Sequence, residues 1–204
     1  MNTHYLLMKR GLDVAVATLL LILTLPVQLI VAAAIKCSDG GPVYFLQPRI
    51  GRDGQVFRMI KFRSMRIDVT RESMRVDLYA PSVAQILEKS THDSRVTPVG
   101  YILRRTSLDE LPQLFNVVLG DMSLVGPRPV VARMLAAADP RVAQRHSVPP
   151  GLTGYWQINA RSENTSIESM LPYDLRYIEE MSIRTDVKIL LRTIPVVLWG
   201  EGAY

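Results

Sequence analysis

Cysteine is almost absent from this sequence: Cys37 is the only one among its 204 residues. A single thiol excludes an intramolecular disulfide and a structural zinc site built from cysteines. Histidine is also scarce, and His4, His92 and His146 lie too far apart along the chain to suggest a metal site. The chemistry of this protein therefore has to come from carboxylates, basic side chains and hydroxyl groups.

Acidic residues are outnumbered by basic ones, 19 against 24, which gives a formal net charge of +5. Such an excess favours anionic partners, whether phosphates, nucleotides, nucleic acid or an acidic membrane surface. Hydrophobic residues make up 48% of the chain and charged residues 21%, which excludes disorder as the main state. The length suits one domain with a small additional element.

The longest apolar run lies near the amino terminus. Segment 14–35 is apolar except at Thr18, Thr24, Pro26 and Gln28. As a helix it would be about 33 Å long, enough to cross the hydrocarbon core of a bilayer, which is roughly 30 Å thick.

Three interpretations of this run are open. A cleaved signal peptide, with its cleavage site at 32–34, is the least favoured, because a lone thiol suits a reducing compartment. A spanning helix is the usual interpretation, but Pro26 near its middle predicts a kink. Lys9 and Arg10 before the run and Lys36 after it put positive charge at both ends. That symmetry suits a re-entrant hairpin that returns to the cytosolic face, and the residues favour the two membrane interpretations equally.

Residues 37–204 contain no second long apolar run and predict one α/β or α+β domain, of which α+β, mainly helical with short β-hairpins, is preferred. Val43–Phe45 and Val56–Ile60 are β-prone and are separated by the turn sequence Gly51–Gly54. Segment 67–94 is mixed and polar, and fits one or two short helices.

Basic residues follow the predicted hairpin. In an extended chain Lys61 and Arg63 lie on one face and Phe62 on the other. The simpler interpretation is a basic surface that contacts anionic lipid headgroups. The alternative is a cradle for a phosphate or nucleotide, and the residues alone favour the simpler interpretation.

An acidic pair lies where a helix is expected to begin. Apolar residues at helical spacing follow it, and Ser107 and Glu110 stand three apart, as in a capping box. The simplest interpretation is that Asp109 and Glu110 only cap this helix, since its amino end favours negative charge.

The neighbouring arginines suggest more than capping. Arg104 and Arg105 precede the acidic pair, and Arg128 is held between Pro127 and Pro129. Carboxylates with several arginines are suited to metal-assisted phosphoryl transfer: one carboxylate attacks phosphorus, another holds Mg²⁺, and guanidinium groups neutralise phosphate oxygens.

Ordered motifs extend this pattern along nearly the whole chain. They are Lys9-Arg10-x-x-Asp13, Gly41–Phe45, Lys61–Met65, Leu103–Leu114, Gly120–Pro129 and Pro150–Gly154. With them the chain resembles the bacterial sugar transferase family, the small monotopic phosphoglycosyl transferases that start glycan assembly on polyprenol phosphate.

The resemblance implies an architecture. Residues 1–36 would form a re-entrant membrane helix-break-helix, and residues 37–204 a cytosolic catalytic domain with interfacial amphipathic helices. The protein would then lie on the cytosolic face of the bacterial inner (cytoplasmic) membrane.

The resemblance also implies a two-step reaction. Asp109 would attack the β-phosphate of a UDP-sugar and release UMP, and undecaprenyl (polyprenol) phosphate would then take the sugar phosphate. The cofactor would be Mg²⁺, with Glu110 and Asp109 as the metal ligands. Arg128, with Arg104 or Arg105, would hold phosphate oxygens, and Lys61 and Arg63 would contact the nucleotide or a phosphate.

Two departures from the family pattern stand out. Leu25 occupies the position where the family often has serine before the helix-breaking proline. Segment 154–161 differs from the usual Gly-Trp-Ala-Gln-Val-Asn-Gly-Arg, which leaves open which residues read the sugar or the base. The closing segment 200–204 resembles the exopolysaccharide branch and weakly favours UDP-galactose or UDP-glucose over an N-acetylated or deoxyamino sugar.

The carboxyl-terminal part predicts two helices. On the first, from about Ser166 to Met181, Asp174 would hold an active-site arginine, as part of the substrate site, or complete a surface ion pair. The second, Val187–Trp199, is either a core helix or an interfacial helix with Trp199 and Tyr204 at headgroup level, the interpretation slightly favoured.

A non-catalytic, membrane-tethered scaffold is the alternative class of function. Nucleic acid is not expected as a partner, because the basic run is short and lacks a stacking motif. A scaffold would be expected to lose the acidic pair, whereas Asp109, Glu110 and Arg128 are all present. The expected partners are a UDP-sugar, polyprenol phosphate and membrane lipids, and a homodimer is compatible with the sequence.

Overall fold

The structure is a computed structural model of the chain, and it describes residues 3–66, 95–135, 139–160 and 166–199. Within these residues it is mainly helical with two small sheets, which confirms a mainly helical fold with short strands. The short helices expected in 67–94, and Tyr204, lie outside the described residues.

Ten helices and strands are described, with short 3-10 turns between them. They are α1 (Thr3–Asp39), β1 (Tyr44–Ile50), β2 (Val56–Phe62), α2 (Pro98–Arg105), α3 (Gln113–Leu119), β3 (Ser123–Val125), β4 (Gly151–Thr153), α4 (Tyr155–Asn159), α5 (Ile167–Glu179) and α6 (Ile183–Trp199). The 3-10 turns are Arg52–Gly54, Leu108–Glu110, Ala132–Leu135 and Pro140–Ser147.

The apolar run forms most of α1, which by length and composition could cross a membrane. Helical structure continues through Pro26, so the chain does not break into two separate helices there. Pro26 has no N–H to donate to the preceding turn, and two polar side chains bond on either side of it. The Thr24 hydroxyl donates to the Leu20 carbonyl (2.6 Å), and Gln28 Nε2 donates to Thr24 Oγ1 (2.9 Å).

The predicted hairpin is confirmed. Strands β1 and β2 pair antiparallel from Tyr44↔Phe62 to Ile50↔Val56. Asp53 and Gly54 have φ values of 54° and 76°, the left-handed conformation that the Asp-Gly sequence tolerates. Phe62 is buried against α2, whereas Lys61 points to the other face, as alternation requires.

A second sheet fixes the Gly126–Pro129 segment. Strands β3 and β4 pair in parallel, with Ser123 opposite Gly151 and Val125 opposite Thr153. A Cβ atom at Gly126 would lie 2.5 Å from the Pro149 carbonyl oxygen, so only glycine allows this close backbone approach.

A buried polar network joins the start of α1 to the domain. Lys9 Nζ lies 2.9 Å from Asp186 Oδ2, and the Tyr177 hydroxyl donates to Asp186 Oδ1 (2.8 Å). Asp13 accepts from the Ser123 hydroxyl (2.8 Å) and from the Leu124 N–H (3.2 Å). Because these charged groups are paired and hydrogen-bonded, their burial is tolerated.

The two ends of α1 both pack on the domain, while its middle is exposed. Ala17 lies in the main core cluster with α3 and β3, and Val31 and Ile35 lie in another cluster with Phe62 and Leu103. Between them the apolar side chains are largely exposed, among them Leu23, Leu29 and Ile30.

Exposed apolar side chains also lie on β1 and β2 of the hairpin and on three helices of the domain. On the helices they include Tyr101 and Ile102 on α2, Phe115 and Leu119 on α3, and Leu191, Ile194 and Trp199 on α6. The opposite side of α6 contributes Ile189, which is fully buried, so this helix is amphipathic.

Candidate active site

The acidic pair lies on a tight turn rather than in the first turn of an α-helix. Asp109 and Glu110 belong to the 3-10 turn Leu108–Glu110, and α3 begins only at Gln113 after Pro112. Ser107 has φ 56° and makes no side-chain capping bond, so the predicted capping box is wrong. The left-handed Ser107 turns the chain sharply between α2 and the acidic pair.

Lys61 reaches this turn from β2. Its Nζ lies 2.9 Å from Glu110 Oε1, and both side chains are about four-fifths buried. Partial burial strengthens such a pair relative to an exposed one, because fewer water molecules screen it. The structure therefore joins two predicted site residues from distant parts of the sequence.

Asn116 holds β2 in place beside the acidic turn. Its Oδ1 accepts from the Ile60 N–H (2.9 Å), and its Nδ2 donates to the Arg58 carbonyl (2.8 Å) and to Asp121 Oδ2 (3.2 Å). The side chain is buried in α3, so it fixes the strand that carries Lys61. Asn116 was not among the predicted site residues, because an asparagine in a helix gives no sequence signal of such a contact.

Three other predicted basic residues lie around this region in different environments. Arg63 is buried and forms an ion pair with Asp39 at the end of α1. Arg104 and Arg105 form the last turn of α2, just before Ser107, with Arg104 half-buried and Arg105 exposed. Direct contact of these three with a nucleotide or phosphate stays a prediction.

Arg128 follows the second sheet and stacks on an aromatic ring. Its guanidinium carbon lies 5.5 Å from the ring centroid of Trp156, the separation of a cation–π contact. The ring belongs to α4, in the segment that departs from the family pattern, and it is fully buried. A stacked guanidinium has a restricted orientation, which suits it to bind a phosphate in a fixed geometry.

Asp174 is not part of a surface ion pair. It lies inside the protein with Arg145, whose Nη2 and Nε atoms approach Asp174 Oδ2 at 2.6 and 2.9 Å. Burial raises the pKa of Asp174, while Arg145 and hydrogen bonds act in the opposite direction. The arginine that it holds is therefore one that sequence analysis did not identify.

The described residues hold no group of three or more His, Cys, Asp and Glu side chains that could bind a metal by themselves. Mg²⁺ is commonly bound through one or two carboxylates together with substrate phosphates. The adjacent carboxylates of Asp109 and Glu110 fit that kind of site, which substrate phosphates would complete.

The comparison with protein families decides the classification. The family model for bacterial sugar transferase matches residues 4–200. The chain belongs to the bacterial sugar transferase family.

Several relatives of this bacterial sugar transferase support the assignment. The exopolysaccharide production protein ExoY of Rhizobium meliloti (strain 1021) is 41% identical over 199 residues, which cover 96% of this chain and 88% of ExoY. The galactosyl transferase CpsE of Streptococcus agalactiae serotype III (strain NEM316) is 42% identical over 98% of this chain and 44% of CpsE.

A third relative carries a fuller description of its reaction. The UDP-glucose:undecaprenyl-phosphate glucose-1-phosphate transferase of Escherichia coli (strain K12) is 42% identical over 97% of this chain and 42% of its own length. The chain thus spans less than half the length of two of these three relatives.

The structure of this bacterial sugar transferase also contains residues that sequence analysis missed. Arg145 and Trp156 support Arg128, and Asp186 holds Lys9. Their partners lie far away in sequence, Arg145 being 29 residues from Asp174 and Lys9 177 residues from Asp186. Helical or strand periodicity could not have identified such pairs.

Proposed function

We propose that this protein transfers a sugar 1-phosphate from a UDP-sugar to undecaprenyl phosphate, with release of UMP. One observation carries the proposal: in a chain that belongs to the bacterial sugar transferases, Lys61 braces an adjacent Asp109–Glu110 pair on a tight turn. The names of its relatives support the donor class, since two of them specify glucose or galactose. The donor is therefore a UDP-hexose, and the product begins an exopolysaccharide or related glycan.

In the first step an oxygen of the Asp109 carboxylate attacks the β-phosphorus of the UDP-sugar. A bond forms between this oxygen and phosphorus, and the bond from phosphorus to the oxygen bridging the two phosphates breaks. UMP leaves with that bridging oxygen, and the sugar phosphate stays on Asp109 as a mixed anhydride. A carboxylate is a competent nucleophile for such a step, since it needs no deprotonation at neutral pH.

In the second step an oxygen of undecaprenyl phosphate attacks the same phosphorus. The bond from phosphorus to the Asp109 oxygen breaks, which restores the carboxylate and yields undecaprenyl diphosphate sugar. The two substrates use one site in turn, so UMP leaves before the acceptor reacts. This order corresponds to ping-pong kinetics.

The remaining site residues position the substrate and neutralise charge, which is most of what phosphoryl transfer requires. Glu110, with Asp109, would hold Mg²⁺, and Lys61 keeps the Glu110 carboxylate in place. When bound, Mg²⁺ neutralises charge on the diphosphate. Arg128, with Arg104 or Arg105, binds phosphate oxygens, and Lys61 on β2 and Arg63 just after it contact the nucleotide or a phosphate.

The amino-terminal helix enters the membrane and returns to the cytosolic face. This course is supported by the packing of both ends of α1 on the same domain, where Leu111 adjoins the cluster of Ala17 as well as that of Val31. On a straight helix those two residues would be about 21 Å apart. The Thr24 and Gln28 side chains supply polar partners around Pro26, a role that Leu25 cannot fill.

The exposed apolar side chains of α2, α3 and α6 contact the membrane interface. Trp199, 74% exposed, would lie at headgroup level. This arrangement keeps the active site near the surface of the bacterial inner membrane, where the phosphate of the lipid acceptor lies. A homodimer stays a prediction.

The test is UMP release by the purified protein in lipid discs with undecaprenyl phosphate, Mg²⁺ and a panel of UDP-sugars. We expect release with UDP-glucose or UDP-galactose and much less with UDP-N-acetylglucosamine. Preference for an N-acetylated donor would contradict the hexose assignment. No release with any donor, in folded and membrane-bound protein, would contradict the proposed reaction and support the scaffold alternative.

A further inference from the structure

The backbone of Arg128 is held by a buried ion pair. Arg145 Nη2 donates to the Arg128 carbonyl oxygen at 2.7 Å. The same Nη2 atom lies 2.6 Å from Asp174 Oδ2, so the Asp174 carboxylate holds in place the guanidinium group that binds the Arg128 backbone.

The two neighbouring carbonyls are fixed as well. The Gly151 N–H donates to the Pro127 carbonyl (2.8 Å), and Arg49 Nη1 donates to the Pro129 carbonyl (3.1 Å). All three carbonyls of the Pro127–Pro129 segment therefore have a donor. With both prolines restricting φ, this segment has little conformational freedom.

The Arg145–Asp174 pair is costly to bury. Arg145 is 2% exposed and Asp174 3% exposed, and Arg145 Nη1 is buried without a hydrogen-bond partner in the described part of the chain. A buried ion pair is often no more stabilising than apolar residues of the same volume, so stability alone is a weak explanation of this pair. A positioning role accounts for it better, because the pair contacts the one residue whose guanidinium stacks on Trp156.

We propose that Arg145 and Asp174 are positioning residues that orient Arg128 toward the substrate diphosphate, without touching substrate themselves. The inference rests on the proposed function for the identity of the ligand of Arg128. That the Arg145–Asp174 pair sets the orientation of Arg128 on Trp156 does not depend on the proposed function. This role differs from the direct substrate contact expected for Asp174 from the sequence.

The test is a double-mutant cycle between Arg145 and Arg128. Arg128→Met and Arg145→Met should each raise the KM for the UDP-sugar by roughly tenfold or more, since a small misplacement of a binding group is costly. The double variant should be no worse than Arg128→Met within about twofold, because coupled residues are not additive. Arg145→Lys, which keeps the positive charge but has a single donor nitrogen, should restore part of the loss.

The control is Asp186→Asn, which removes one charge of a different buried ion pair, that of Asp186 with Lys9. It should lower the Tm without changing the KM. If Arg145→Met lowers the Tm and leaves the KM unchanged, or if the effects of Arg145→Met and Arg128→Met simply add, the positioning role is wrong.

A second readout separates this inference from the proposed function. In a Trp199→Phe background Trp156 is the only tryptophan, and its fluorescence reports on the stacked guanidinium. Arg145→Met should shift its emission as Arg128→Met does, with no further shift in the double variant. If the wild type releases no UMP, the proposed function fails, and the fluorescence cycle alone then tests the positioning role. Coupled emission shifts would support that role, and independent shifts would overturn it.

Discussion

Lys61 and Glu110 form an ion pair across 49 residues of sequence, with Nζ and Oε1 2.9 Å apart. The pair joins β2 of the hairpin to the turn that carries Asp109. It places a positive charge beside the carboxylate that we propose as a Mg²⁺ ligand, so the acidic turn is electrostatically compensated before any substrate binds.

Replacement of Lys61 should weaken catalysis more than folding. In Lys61→Met the Glu110 carboxylate, about four-fifths buried, loses the Lys61 ammonium group, and the substrate phosphates lose a nearby positive charge, so UMP release should fall by about 100-fold. This loss of activity is measured as the rate of UMP release at several Mg²⁺ concentrations. Arg58→Met removes an exposed cation from the same strand and should be nearly neutral. Equal losses in both variants would contradict a specific role for Lys61.

Asp109→Asn should abolish the first step. The asparagine amide has nearly the shape of the carboxylate but is not a nucleophile at neutral pH, so UMP release should fall by at least about 1,000-fold. Intact-mass analysis of wild-type protein given UDP-sugar alone should show a sugar phosphate adduct that the variant lacks. Asp53→Asn is the matched control, since Asp53 is exposed and asparagine tolerates its left-handed conformation. Activity that survives in Asp109→Asn would overturn the mechanism.

The course of α1 can be tested with its own thiol. Cys37 is exposed at the carboxyl end of α1, and His4→Cys in a Cys37→Ser background places a thiol at the other end. Because a re-entrant helix keeps both ends on one face, a membrane-impermeant maleimide should label both thiols from the cytosolic side of sealed vesicles. Labelling of the two thiols from opposite faces would show a spanning helix instead.

The polar residues around Pro26 should favour the re-entrant course of α1 over a spanning one. Pro26→Ala together with Gln28→Leu restores the helical hydrogen bond and removes a polar side chain from the apolar run. We expect a fraction of the variant to span the membrane, with the thiols on opposite faces. Leu29→Ala, at an exposed position nearby, should keep the wild-type labelling pattern. Identical labelling of the double variant and the wild type would show that these residues do not set the topology.

His146 should make stability depend on pH. Burial, with repulsion from Arg145, lowers the pKa of His146 to about 4, against an ordinary value of 6.5. The folded protein therefore keeps the neutral imidazole while the unfolded chain takes up a proton, so stability falls as pH decreases from about 6.5 to about 4. Between pH 7.5 and pH 5, the Tm of wild-type protein should fall more than that of His146→Gln. Parallel curves would contradict this assignment.

Two glycines provide a matched test of packing. A Cβ atom at Gly100 would overlap the Ser64 carbonyl, whereas one at Gly11 meets nothing within 4 Å. Gly100→Ala should reduce the free energy of unfolding by about 2 kcal/mol, and Gly11→Ala, in a helix, should raise it by up to about 1 kcal/mol. Chemical denaturation of both variants measures the difference. A neutral Gly100→Ala would show that α2 can move away from Ser64.

Local sequence patterns correctly predicted those elements whose conformation depends mainly on neighbouring residues. The Asp53–Gly54 turn, the helix that follows Ser166 and the long apolar helix were all predicted, because turn chemistry, capping and hydrophobic periodicity depend on neighbouring residues. The capping box at Ser107 was wrong: its sequence matches the motif, but Ser107 adopts a left-handed conformation and its side chain makes no capping bond.

The sequence by itself determined which functional groups the site contains: the acidic pair, the arginine between two prolines and the basic residues after the hairpin. Only the tertiary structure decided which of them meet. Lys61 reaches Glu110, and Asp174 pairs with Arg145 to hold Arg128. The physical reason is that ion pairs between distant segments depend on how the chain folds back, and residue spacing along the sequence carries no information about that geometry.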